Sequence, residues 1–414
     1  MFSAIVCSLW FIVAATAAKH NTTHSNTTLS YNTTYHPGNV TFNHTLTYDV
    51  PFPAQTVGLN ASMYEKYEIY HPKVFVINMF SLEQEPFMET FNFTHNITIP
   101  GLSPVYPEIH CTKDYSLCQV TTGEGEINAA VTITSLSTNP SFDLSQTFFI
   151  VAGIAGCSPK QATLADVTFS HFVVQILEYE VDSRELPSNW TTGYFPFGTE
   201  NSTDYPENIY GTEIFELNLN LRDRALKLAQ SAKLDNGTKA NEAFRETFDY
   251  APANSTPKAI GCDTLTSDTY WFGQDFDETF ANYTSLITNG TATYCTTQEE
   301  DSATMEALIR AARFGLVDFS RVVVMRTCSD FTYSDEYTGN ETTYFFDDVS
   351  QGGISASLTN LVIGSKPLIN DILKNFEIYN NGTYAPTNYI GDYFNSLEFD
   401  VDVRTWGNAA WGTA

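Results

Sequence analysis

Fully apolar runs and stretches with apolar residues three or four apart alternate along this chain. That is the pattern of strands buried on both faces and joined by crossover helices. The apolar runs are KVFVINMF at 73–80, TFFIV at 147–151 and VVVM at 322–325, with LCQVT at 117–121 as a further strand. Weaker alternation at 165–169 and 172–177 extends the sheet. Helical spacing appears in residues 126–139, in Leu217, Leu221, Ala225, Leu228 and Ala232, in 276–287, and in Met305, Leu308, Ile309 and Ala312. A last long helix runs through Leu358, Leu361, Ile369, Ile372, Leu373 and Phe376, where Pro367 predicts a kink or a break. Residues 81–85 read as a strand-end loop, 87–107 as loop-rich, 184–206 and 331–346 as aromatic loops, and 379–414 as a surface strap. No repeat and no second set of domain signals appears. The expected fold is a single three-layer α/β domain at 66–414, a mixed central sheet flanked by helices.

In open α/β sheets ligands bind outside the carboxyl ends of the strands, so polar residues there are the first candidates for chemistry. Glu83 and Glu85 follow the first apolar run, Gly123-Glu124-Gly125-Glu126 opens a helix, Ala152-Gly153 follows TFFIV, and Ser329-Asp330 follows VVVM. Met305 and Glu306 lie on the helix just before that last strand. Asp330 alone reads equally as a turn cap, a role Asp fills well. GEGE is not the dinucleotide fingerprint, because the third glycine is missing and carboxylates stand where pyrophosphate would lie.

Composition narrows the setting. The chain has 414 residues, with 20 basic against 48 acidic side chains and a net charge of −28. Such a surface repels phosphate backbones and gives anionic lipid no basic patch, so nucleic acid is not an expected partner. Residues 1–18, apolar and ending in small side chains, read as a secretory signal peptide, too short to span a membrane. Residues 19–65 read as a glycosylated segment of low order. Sequons begin at Asn21, Asn26, Asn32, Asn39, Asn43 and Asn60 there, and at Asn92, Asn96, Asn189, Asn201, Asn236, Asn254, Asn282, Asn289, Asn340 and Asn381 beyond. Their density predicts secretion, to the extracellular space or cell wall. Disulfides are then allowed: Cys111–Cys118 as a local pair, Cys262–Cys295 closing a longer loop, and Cys157 with Cys328 as core thiols or a third bridge. Neither a zinc site nor cysteine catalysis has the neighbours it needs, and no metal or cofactor is expected.

No G-x-S-x-G elbow and no P-loop lysine is present. His171, the last histidine, reads as a core or surface side chain rather than a triad member. The remaining candidates are the acids, and here the chain resembles a known family. VFVINMFSLEQE, TTGEGEINAAVTI, FFIVAGIAGCSP, GYFPFGT, SDTYWFG, TMEAL and VVVMRTCSDF occur in the order found in the fungal purine nucleoside permeases. More distantly they resemble the nucleoside phosphorylase and nucleosidase superfamily, over about residues 73–376.

The resemblance implies a purine nucleoside ligand and a role for each matched residue. Glu306 would hold the ribose hydroxyls, with Met305 under the sugar. Asp330, oriented by Ser329, would engage the purine around N7 and donate a proton as the glycosidic bond breaks. Glu83, or Glu85 in its place, would position the attacking water. Trp271, Tyr270 and Phe195 would stack on the base, and Gly153 and Gly125 would offer backbone groups to phosphate or water. The phosphorylases also carry an arginine near the Gly-x-Ala-Gly strand, which TFFIVAGIAG lacks. Only Arg326 could supply a buried cation. The resemblance thus implies nucleoside binding in uptake or metabolism, with hydrolysis favoured over phosphorolysis. The alternatives are a non-catalytic carrier working with a partner transporter, a true phosphorylase using phosphate as co-substrate, or a structural protein keeping only the fold. Homo-oligomerisation is compatible with each.

Overall fold

The structure, a computed structural model, describes residues 69–407 apart from 338, 348 and 350. The expected signal peptide and the whole of the expected glycosylated segment at 19–65 lie outside the described residues. The strands are, in chain order, β1 (Val74–Asn78), β2 (Phe93–Ile97), β3 (Ile109–Thr112), β4 (Leu117–Thr121), β5 (Phe148–Cys157), β6 (Val167–Phe169), β7 (Phe172–Gln175), β8 (Glu178–Glu180), β9 (Tyr194–Pro196), β10 (Ile214–Glu216), β11 (Ala259–Gly261), β12 (Asp263–Thr266), β13 (Tyr294–Gln298), β14 (Val322–Phe331) and β15 (Gly391–Asp392). All but β8 and β9 join one mixed sheet, in the order β15-β10-β7-β12-β13-β5-β1-β4-β3-β2, with β14 beside β5 and β6, and β6 beside β11.

Alternation along the strands sorts the core into layers. Phe75 and Ile77 of β1 pack with Ile133 and Leu308, from the helices Glu126–Ser137 and Asp301–Ala312. Val74 and Val76 face the other way, onto Leu221, Leu361, Leu368 and Ile369 of the helices Leu219–Ala229 and Gly353–Lys374. A sheet between two helical layers is the architecture the apolar runs predict.

Two strands outrun their apolar stretches, and this matters for the site. β5 continues through Gly-Ile-Ala-Gly, and β14 through Arg-Thr-Cys-Ser-Asp, because the two pair in parallel from Val322↔Phe149 to Phe331↔Cys157. Each supplies the backbone hydrogen bonds that would otherwise leave the polar and glycine-rich tail as loop. The register slips by one residue between Cys328 and Asp330, a bulge at Ser329.

Other expectations are corrected. Residues 81–85 are not a loop but the first turns of the helix Ser81–Thr90, and β2 follows, paired antiparallel with β3. The helix Gly353–Lys374 passes through Pro367 unbroken. Part of the C-terminal strap is buried: Tyr389, Tyr393 and Trp406 enter the core, and β15 adds to β10 at the sheet edge. All three disulfides are present, with Cα separations of 4.1 Å for Cys111–Cys118, 5.5 Å for Cys157–Cys328 and 5.7 Å for Cys262–Cys295. His171 pairs with Glu216 at 2.8 Å, in a cluster that anchors Asn388 of the C-terminal segment.

Candidate functional site

A cavity of about 210 Å³ lies over the carboxyl halves of β5 and β14. At one end Arg326 is buried to 2% exposure and forks onto Asp301, Nη2 to Oδ1 at 2.6 Å and Nε to Oδ2 at 3.2 Å. Its Nη2 also reaches Glu300 Oε2 at 3.1 Å, and its Nη1 donates to the Ile154 carbonyl at 2.9 Å. Glu83 stands beside it, accepting from the Met79 and Ile154 backbone N–H groups, each at 2.7 Å. Gly153 makes this packing feasible. A Cβ there would sit 2.5 Å from Arg326 Nη1 and 2.8 Å from Glu83 Oε1, so only glycine lets the two side chains meet across the strand.

Four buried or half-buried acids, Glu83, Glu299, Glu300 and Asp301, thus surround one cation. Burial raises the Glu83 carboxyl to about 8, with Arg326 opposing the shift and Glu300 adding to it. Burial likewise lifts Glu299 to about 7, helped by the charges of Glu300, Asp268 and Glu124. Glu300 is also raised by burial, against the pull of Arg326. It stands at the N-cap position of the helix Asp301–Ala312, and its carboxylate accepts from Gly125 N at 3.1 Å.

The other end belongs to Asp330. Arg326 is registered with Gly153 and Asp330 with Gly156, so the two lie about 10 Å apart along β5. The bulge brings both Ser329 and Asp330 to the cavity wall. Ser329 Oγ donates to Asp330 Oδ1 at 2.6 Å, and Tyr270 Oη to Oδ2 at 2.9 Å. Burial raises the Asp330 carboxyl, and these hydroxyls oppose the rise. Trp271 also lines this end, packed edge-on against Phe280 at 5.0 Å.

Glu83, Asp330, Ser329, Tyr270 and Trp271 therefore converge on one cavity. Other expected residues do not. Glu85 is exposed, two positions round the helix from Glu83. Met305 is fully buried in the core layer. Glu306 points to a separate surface cleft, where it pairs with Arg310 at 2.6 Å. Phe195 packs within its own β8–β9 hairpin, tilted against Tyr179 at 4.9 Å and edge-on to Trp190 at 5.2 Å. The Gly125 amide is already taken by Glu300, so it buttresses that acid instead of cradling an anion. Gly153 acts through its missing side chain.

Glu299 and Glu300 are the site residues that sequence reasoning missed. They follow β13 directly, and the strand-end rule that picked out Glu83 applies to them equally.

The chain matches the family model described as Purine nucleoside permease (NUP) over residues 71–384. It is 50% identical to the purine nucleoside permease of Candida albicans over 360 residues, covering 86% of this chain and 87% of that one. A Schizosaccharomyces pombe relative, described as a probable purine nucleoside permease, is 38% identical over 78% of this chain and 95% of its own length. Among solved structures it is similar to a 5'-methylthioadenosine/S-adenosylhomocysteine nucleosidase from Colwellia psychrerythraea in complex with adenine. That match has 17% identity and a TM-score of 0.43 over 73% of this chain and 97% of the other, too loose to carry an argument about the site. The match over most of the chain and the identity to the yeast proteins settle membership: this protein belongs to the purine nucleoside permease family.

Proposed function

We propose that the cavity binds a purine nucleoside, ribose toward Glu300 and base toward Asp330, and cleaves its N-glycosidic bond with water. The separation of about 10 Å between the Arg326 and Asp330 ends suits one nucleoside lying along β5. Glu300 offers carboxylate oxygens to sugar hydroxyls. Asp330, raised by burial, can hold a proton and deliver it to N7 as the C1'–N9 electron pair leaves with the base. Glu83 acts in its ionised form, whose share grows as pH rises toward about 8: the carboxylate takes a proton from water while the water oxygen forms the new C1'–O bond.

The observation that carries hydrolysis over phosphorolysis is the state of Arg326. Its guanidinium is committed to Asp301, Glu300 and the Ile154 carbonyl. A phosphate entering there would meet Glu83, Glu299 and Glu300 with no uncommitted cation among the cavity-lining residues. Water meets no such penalty.

Secretion to the cell exterior or wall is part of the proposal. Sequon asparagines Asn92, Asn96, Asn189, Asn201, Asn254, Asn282, Asn289 and Asn381 are all exposed, as glycan attachment requires. Among the described residues no helix is long and apolar enough to cross a membrane. A role in uptake would then run through binding or cleavage outside, with another protein moving the product.

The test is purified protein with adenosine, inosine and guanosine, with and without phosphate, read as free base. Base release independent of phosphate is expected, and Asp330→Asn should slow it about 10²–10⁴-fold while leaving nucleoside bound. Release only with phosphate overturns hydrolysis. Tight binding without release, in every condition, leaves a carrier that only grips its ligand.

A further inference from the structure

A second, larger opening of about 960 Å³ adjoins the cavity, and Tyr270, Trp271, Ser329, Asp330 and Ile354 line both. It is a groove, walled on one side by the helix Gly353–Lys374 and on the other by Pro86, Glu89 and Thr90 at the end of the helix Ser81–Thr90. Along the long helix Ile354, Leu358, Val362 and Lys366 recur every fourth residue, so they form one stripe facing the groove. Apolar side chains run away from Asp330 for about 12 Å before the lysine is reached. Thr359 and Ile363 line it from the adjacent stripe.

Where this groove opens is set by purine chemistry. N7 and the exocyclic group at position 6 share one edge of the base. A purine whose N7 meets Asp330 directs its 6-substituent past that carboxyl, which is where the groove begins. We infer that the groove is a subsite for an apolar substituent on the 6-amino group, so that the protein prefers N6-alkyl or N6-arylmethyl purine nucleosides to unsubstituted adenosine. This rests on the nucleoside reading of the cavity. The apolar stripe supplies the gain, since a ring or branched chain laid on Leu358 and Val362 leaves water for carbon.

The experiment is calorimetric titration of the full chain carrying Asp330→Asn with adenosine and with N6-benzyladenosine, and of the same protein with Thr359→Trp added. Thr359 is exposed on the helix and lies outside the nucleoside cavity, so tryptophan there fills the groove without entering the cavity. N6-benzyladenosine should bind about tenfold tighter than adenosine, as burial of a small apolar group allows. Thr359→Trp should erase that gain and leave adenosine unchanged. N6-benzyladenosine binding no tighter than adenosine, or Thr359→Trp weakening both alike, overturns the subsite while the cavity reading stands. If neither nucleoside binds, the cavity reading fails and takes the subsite with it.

Discussion

The two ends of the cavity handle protons in opposite ways. At the Arg326 end, charges are packed against charges: one guanidinium holds Asp301 and Glu300 in direct contact and opposes the rise of Glu83. At the Asp330 end the carboxyl accepts from two neutral hydroxyls, and no cation among the described residues pairs with it. The first arrangement is fixed, because moving any member strands a buried charge. The second can change partners, since Ser329 and Tyr270 are neutral and can turn toward a ligand. A ribose wants a rigid seat and a purine N7 wants an acid free to donate, so the asymmetry fits the two halves of a nucleoside.

The sharpest way to break this contrast is to remove the cation. Arg326→Met leaves Asp301, Glu300 and Glu83 buried around a neutral side chain, and a loss of about 3–5 kcal/mol is expected. Equilibrium denaturation in urea, or a fall in Tm, measures it. Asp330→Asn keeps both hydroxyl partners and should cost far less stability. Equal losses at the two positions would show that the ends are built alike.

A smaller effect separates the ends by pH. The Glu83 carboxyl stands at about 8 in the folded protein against 4.5 as its ordinary value, so the folded state keeps a proton that the unfolded chain gives up. The stability it contributes is full below about 4.5 and is lost as pH rises through about 8. Glu83→Gln should flatten stability between those limits, by roughly one to a few kcal/mol. It should also lower stability somewhat at acid pH, because both oxygens accept backbone N–H groups and an amide can accept only on one side. Melting curves from pH 4.5 to 8 decide the matter. An unchanged slope in the variant would mean that Glu83 is not the group holding the proton.

How much of this was legible depends on what fixed each element. β1 and the apolar half of β5 announce themselves as runs of β-branched and aromatic residues, and the three layers follow from their alternation. The tails of β5 and β14 were not legible, because Gly-Ile-Ala-Gly and Thr-Cys-Ser-Asp are strands only through long-range pairing with each other and with β13 and β6. Glu83 and Asp330 could be picked out because each stands just past an apolar run. Arg326 was visible as a residue but not as a cluster, since Asp301 and Glu300 come to it from a different strand–helix junction. Phe195 misled because aromatic density does not say which aromatics a ring will pack on.

The smallest expected effect is the one that tests the revised placement of the ribose acid. Glu300 and Glu306 are six positions apart at the start of one helix, and residue type does not tell them apart. Their surroundings do. Glu300 sits at the junction of β13 and the helix, 4% exposed, held by Arg326 and the Gly125 amide and open to the cavity. Six residues amount to about 600° of helix, which turns Glu306 well away from the direction of its predecessor. There it pairs with Arg310, whose side chain is 74% exposed, an i,i+4 contact of the kind worth about 0.3–0.5 kcal/mol. Glu306→Gln should therefore shift stability by no more than about 0.5 kcal/mol and leave nucleoside affinity unchanged. Glu300→Gln should weaken adenosine binding at least about tenfold, the loss of one charge-assisted hydrogen bond. Titration of both variants with adenosine checks the pair. If Glu306→Gln weakens binding as much as Glu300→Gln, the ribose lies over the helix surface and the cavity between Arg326 and Asp330 is not its seat.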